Sequence, residues 1–376
     1  MPSFHHSRPP SYDLVIPCKR RPIRLPVFFI AVLLGDATPG AAQTGPDLSG
    51  VDQFWTIADQ LAADSEPDSV AWRKLLDTPA YKQLAQDQRV QRMLRLAFRP
   101  SFGREADSVV ATGTYNARVV QHLRLVREQR VVLQGFRDSL AKVDMVAEAG
   151  RLAAPFLPAG EVERRPPPRL AYAFFGPEAY GGQDGIIMDL LFARDRGSHL
   201  LAIIGHEVHH YHVGHLTGLR FPERSSPAFT LLQSLRNLAN EGTADRVDLR
   251  FPTGPPKMPE DVTPAYNAGY RDAPATLREL DSLMSRVGSD TARMRQTGKD
   301  VSSRLVFGGH PVGAYMAERI DDRLGRAALI ATVGNPFAFF RQFNEAEGRA
   351  GVRPFSEATL KLVAELEAGY FTPVIR

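Results

Sequence analysis

The stretch that most narrows what this chain can fold into is His206-Glu207-Val208-His209-His210. Two histidines four residues apart leave one face of a helix, so both imidazoles can meet a single metal ion. Glu207 sits beside the first and can take a proton from water at that metal without being a ligand itself. Leu200, Leu201, Ile203 and Ile204 make the preceding turns apolar, so the stretch requires a buried helix, about His199 to Leu216, opened by Ser198. A five-residue pattern arises by chance often enough that a third ligand is needed.

Asn240-Glu241-Gly242-Thr243-Ala244-Asp245 supplies one. Glu241 and Asp245 are four apart and share a helix face. Ser226-Pro227 opens that helix, which runs to about Leu249 with Leu231, Leu232, Leu235 and Leu238 as its core stripe. His206, His210 and Glu241 would hold Zn2+ and leave the fourth position to water, the pattern of a catalytic site rather than a closed structural one. Asp245 is placed to accept a hydrogen bond from the second nitrogen of a ligand imidazole and fix its orientation.

Together the two motifs resemble the gluzincins, zinc peptidases whose third ligand is a Glu in an N-E-x-x-[S/A]-D helix. His206, Glu207 and His210 match the first motif; Asn240, Glu241, Ala244 and Asp245 match the second. The spacing between motifs is longer than in the best-known members, which makes Thr217 to Pro227 a family-specific loop. More broadly, FWTIADQL, EPDSVAWRKLLDTPAYKQL and GGHPVGAYMA resemble segments of a bacterial family of zinc-dependent peptidases of unknown substrate. The resemblance implies a zincin-like, largely helical fold, a peptide or protein substrate, and a Tyr or His from a later segment that stabilises the oxyanion. His310 and Tyr315 are the candidates.

Two decoys fail on register. His212 and His215 invite an H-E-x-x-H-x-x-G-x-x-H reading, but that pattern needs Gly at Val213 and His at Leu216. Asp245 comes one residue too early to be the third ligand of an aspzincin. His209 is expected to line or leave the cleft, and His212 and His215 to lie at the surface or rim.

Element by element the chain reads as mainly α with a small β-sheet (α+β). Helices are expected at about Val51–Ala63, Ser69–Leu76 and from Pro79, with Trp55 and Trp72 as core anchors. Tyr115 to Ala153 is amphipathic and long enough for one helix or two. Two strands follow, Arg169 to Phe175 and Gly185 to Ala193, with a Gly-rich loop between them. The second reads as an edge strand ahead of the active-site helix, able to pair with an extended substrate. After a Pro-rich loop, Phe251 to Pro264, the rest reads as helices near 273–287, 311–324, 327–346 and 356–366. The Pro-rich run Arg164 to Pro168 divides an N-terminal helical region, 43–165, from a zincin-like catalytic region, 166–376.

Composition narrows the partners. Residues 1–42 carry five Lys/Arg and two Asp, and the remainder holds 41 basic against 40 acidic residues, so nucleic acid and anionic membranes are not expected partners. Residues 1–42 read as a signal peptide: Lys19, Arg20, Arg21 and Arg24, an apolar Leu25 to Gly35, then small residues before Gln43. Export to the periplasm or medium is expected, or membrane anchoring if the leader stays; the mature chain carries no membrane span. Cys18, the only cysteine, lies in that leader, so the mature chain has no disulfide, thiol catalysis or Cys-ligated zinc. The same site could serve a hydrolase of non-peptide amides or esters, or a zinc-stabilised envelope binding protein; the intact Glu207 argues against the last.

Overall fold

The computed structural model describes residues 45–86, 88–104, 114–248, 263–288 and 290–373. Residues 44–376 form one compact unit. The leader reading of 1–42, with Cys18, and nearly all of the Pro-rich loop fall outside the described residues.

Eight helices come first: α1 (Ser49–Ala62), α2 (Ser69–Leu76), α3 (Pro79–Leu84), α4 (Gln88–Phe102), α5 (Thr114–Glu128), α6 (Arg130–Leu140), α7 (Val146–Ala153) and α8 (Glu161–Arg164). Phe54 and Trp55 of α1 pack edge-on or tilted against Phe98, Phe102 and Phe174 in an aromatic knot at the heart of this half. Trp72 joins it edge-on through Phe98. The amphipathic run after Tyr115 is three helices, not one or two, because the chain breaks at Gln129 and again over 141–145.

The sheet has three strands, β1 (Leu170–Ala173), β2 (Ala179–Gly182) and β3 (Gly185–Asp189), in the order β1-β3-β2. β3 runs parallel to β1 and antiparallel to β2. This corrects the expected edge strand. Every residue of β1 and β3 is buried, as a sheet covered on both faces requires, so β3 is central. The edge is β2, inside the segment read as a Gly-rich loop. β3 also ends earlier than its apolar run. The carboxylate of Asp189 accepts from Phe192 N at 3.0 Å and starts α9 (Leu190–Arg196).

The remaining helices are α10 (Leu200–Leu216), α11 (Phe229–Asp248), α12 (Thr263–Arg271), α13 (Ala273–Met284), α14 (Thr291–Arg304), α15 (His310–Leu324), α16 (Arg326–Ala331), α17 (Pro336–Gly348) and α18 (Glu357–Tyr370). α10 carries the His motif. It is opened by a 3-10 turn at Gly197–His199 rather than by a Ser198 cap, and its buried residues lie on all sides. It packs against α7, α11 and β2. The stretch expected as one helix from 327 splits into α16 and α17, with Gly334 at φ +82° in the break.

Two apolar clusters form the interior. Leu200, Ile204, Val208 and Val213 of α10 belong to the first, with α1 and the sheet. Leu231, Leu232, Leu235 and Leu238 of α11 belong to the second, with α13, α15 and α17. The His motif and the Glu motif therefore meet where the two clusters adjoin. No helix among the described residues is long and apolar enough to cross a membrane.

Candidate metal centre

The helical period puts His206 and His210 on one face of α10 and Glu241 on the facing side of α11. His206 Nε2 and His210 Nε2 are 3.0 Å apart. Glu241 Oε2 lies 2.9 Å from His210 Nε2 and 3.4 Å from His206 Nε2. A tetrahedral zinc with bonds of 2.0–2.1 Å separates its ligand atoms by about 3.3 Å. The three atoms have that spacing, and their donor set, two imidazoles and a carboxylate, suits zinc. Three imidazoles converge on one carboxylate oxygen, since His310 Nε2 also stands 3.2 Å from Glu241 Oε2. Burial works against the charged form of Glu241, but the imidazoles outweigh it and hold its carboxyl well below the usual range.

α15 is brought here by glycine. Gly242 of the Glu motif and Gly313 of α15 touch backbone to backbone, and a Cβ on Gly242 would fall within 2.8 Å of Gly313 Cα. Before the helix the chain turns through Phe307 (φ 50°), Gly308 (φ 66°) and Gly309 (φ 105°), all left-handed, and delivers His310 at its first position. His310 Nδ1 donates to Asp245 Oδ1 at 2.9 Å, which leaves Nε2 toward Glu241. Burial opposes charge on His310, but Asp245 and Glu241 raise it to about 9.

Asp245 is shared. Its Oδ2 accepts from Tyr266 Oη at 2.9 Å, while His206 Nδ1 lies 3.6 Å from its Oδ1, beyond a hydrogen bond. Asp248 Oδ1 faces the same His206 nitrogen at 3.7 Å, and both atoms are buried with no hydrogen-bond partner. Burial again opposes charge on His206, and Asp248 and Glu241 outweigh it, holding the imidazole well above its ordinary value.

These groups open into a cleft of about 920 Å³. β2 forms one wall. Glu207 lies beneath it: a Cβ on Gly181 would stand 2.9 Å from Glu207 Oε2 and collide with the Glu207 carbonyl. Asn240, Tyr266 and Phe307 line the cleft as well.

Of the residues read from the sequence, His206, Glu207, His210, Asn240, Glu241, Asp245 and His310 come together in the cleft, and Tyr315 does not. Tyr315 packs edge-on against Tyr270 and Phe343 with Arg319 over its ring. His209 neither lines nor leaves the cleft: it is fully buried, and burial keeps it neutral. His212 is 1% exposed rather than at the rim, 3.7 Å from the buried Glu161. Sequence reasoning missed Tyr266 and Asp248. Asp248 carried a signal, since it continues the face of Glu241 and Asp245; Tyr266 carried none.

Two His from α10 and a Glu from α11 converge in the cleft with the Glu207 carboxylate beside them, a donor set that could hold a metal ion. The chain belongs to a family described as "Putative zinc dependent peptidase (DUF5700)", whose model matches residues 72–348. No curated protein and no solved structure matches it.

Proposed function

We propose that this chain hydrolyses peptide bonds with zinc held by His206, His210 and Glu241 and with Glu207 as general base. The observation that carries the reading is the convergence of three ligand atoms within 3.4 Å of one another at the floor of the cleft that Glu207 lines. Zinc held there by His206, His210 and Glu241 would supply Lewis acidity, polarising a carbonyl and acidifying water. Glu207 takes the proton from the attacking water and passes it to the leaving amine. His310, fixed at Nδ1 by Asp245, offers an Nε2 proton to the oxygen on which negative charge develops. β2 is the sheet edge that borders the cleft, so an extended peptide can add to it by backbone hydrogen bonding. The leader pattern in residues 1–42 supports action after export.

Glu207→Gln tests the reading. Hydrolysis of unfolded protein should disappear while about one zinc per chain is retained. Full activity in that variant would remove Glu207 as the base; a wild type without zinc under metal-replete conditions would remove the site.

A further inference from the structure

Arg236 lies on α11, five residues before Glu241, and lines the same cleft. Its guanidinium sits over the Phe221 ring, 5.2 Å from the centroid. Nη2 donates to Asn237 Oδ1 at 3.1 Å, and Nε is buried with no partner. Among the described residues no carboxylate pairs with it. Three other part-buried arginines have carboxylate partners. Arg246, on the same helix, reaches Glu318 and Asp321 at 3.4 Å each; Arg323 reaches Glu347 at 2.7 Å; Arg326 reaches Asp321 at 2.8 Å. The negative charge that acts on Arg236 is that of Glu241, which the imidazoles already occupy.

We infer that Arg236 anchors a carboxylate of the substrate. The inference rests on the peptidase reading and specifies its substrate class. A guanidinium fork matches a carboxylate with two parallel hydrogen bonds, and a part-buried fork lacking its own acid is prepared to receive one. Phe221 behind it holds the plane of the fork. Five helical residues span about 7.5 Å along the axis, or roughly two residues of an extended peptide. The carboxylate therefore belongs to a residue close to the scissile bond. It comes either from an Asp or Glu side chain or from the substrate's C-terminus; in the second case the enzyme trims chain ends.

The test uses the full mature chain, zinc-loaded, in a Glu207→Gln background that binds without cleaving. An equimolar pool of random octapeptides, half free acids and half C-terminal amides, is equilibrated with it, and retained peptides are sequenced by mass spectrometry. The expected result is enrichment of about 10- to 100-fold for a carboxylate. Asp or Glu at one position identifies the side-chain source; free acids over amides identify the C-terminus. Arg236→Gln should abolish the enrichment and Arg236→Glu should turn it toward Lys and Arg. Arg236→Lys should keep a weakened preference, and unchanged zinc content verifies that each variant is folded. Retention without any carboxylate preference, or no retention at all, overturns the inference. Carboxylate-selective binding by a chain whose wild type hydrolyses none of the bound peptides overturns the peptidase reading and leaves the anchor standing.

Discussion

His310 donates to Asp245 from one nitrogen and faces the Glu241 carboxylate with the other. Asp245 Oδ1 fixes Nδ1 at 2.9 Å, and Tyr266 fixes Asp245 from its other oxygen. A histidine held this way is a donor aimed at developing charge, and losing such a donor costs about 10²–10³ in kcat. His310→Ala should show that loss with zinc content unchanged; loss of zinc from the variant would instead make His310 a ligand. Tyr315→Phe should leave kcat within about twofold, because the Tyr315 ring lies against Arg319, Tyr270 and Phe343 outside the cleft. The sequence offered both residues because the resemblance implies a Tyr or His from a later segment, and GGHPVGAYMA holds one of each. Helical geometry separates them: five residues turn about 140° around the axis, and the Tyr315 ring is turned to Tyr270 and Phe343. Tyr266, the hydroxyl that does reach the site, comes from α12, 44 residues earlier than His310, and nothing local in its neighbours sets it apart.

At the level of elements, what could be read was what repeats locally. The pairs 206/210 and 241/245, and the leucine stripe ahead of the second, follow the helical period, so α10, α11 and the faces that bring His206, His210 and Glu241 together were legible before any tertiary contact was known. β2 was not. Ala179-Tyr180-Gly181-Gly182 has no alternation, and it is a strand only because β3 pairs with it. Its glycines had a cause the sequence does not display. At Gly181 the sheet edge rests on the first turn of the His motif, and a methyl group there would strike the Glu207 backbone carbonyl, which cannot rotate away. Gly181→Ala should therefore lift β2 from α10 and displace Glu207 while the imidazoles keep their places. We expect kcat/KM on peptides to fall about 10- to 100-fold with zinc binding unchanged. Gly182→Ala is the control, since a Cβ there meets nothing closer than Gln83 at 3.9 Å. Equal activity in the two variants would mean that the contact between β2 and Glu207 does not position the base.

For the whole molecule, the location of the site at the junction of two apolar clusters has a thermodynamic consequence. α10 is anchored in the cluster built on α1 and the sheet; α11 is anchored in the one built on α13, α15 and α17. A metal held by two ligands from the first helix and one from the second crosslinks the two halves of the core. An ion that binds only the folded chain stabilises it by RT ln(1 + [L]/Kd), about 4 kcal/mol when free zinc is a thousand times Kd. Without the ion, the cluster of imidazoles and carboxylates remains buried, and the pairs among them must hold the junction alone. Removing zinc by chelation should lower Tm, and adding it back should raise Tm with the logarithm of free zinc. Glu241→Ala takes away the ligand proposed on α11, so its Tm should respond to zinc weakly or not at all, although both histidines remain on α10. A wild type whose Tm ignores zinc, or a Glu241→Ala chain that responds as the wild type does, would mean that the ion does not bridge the two helices.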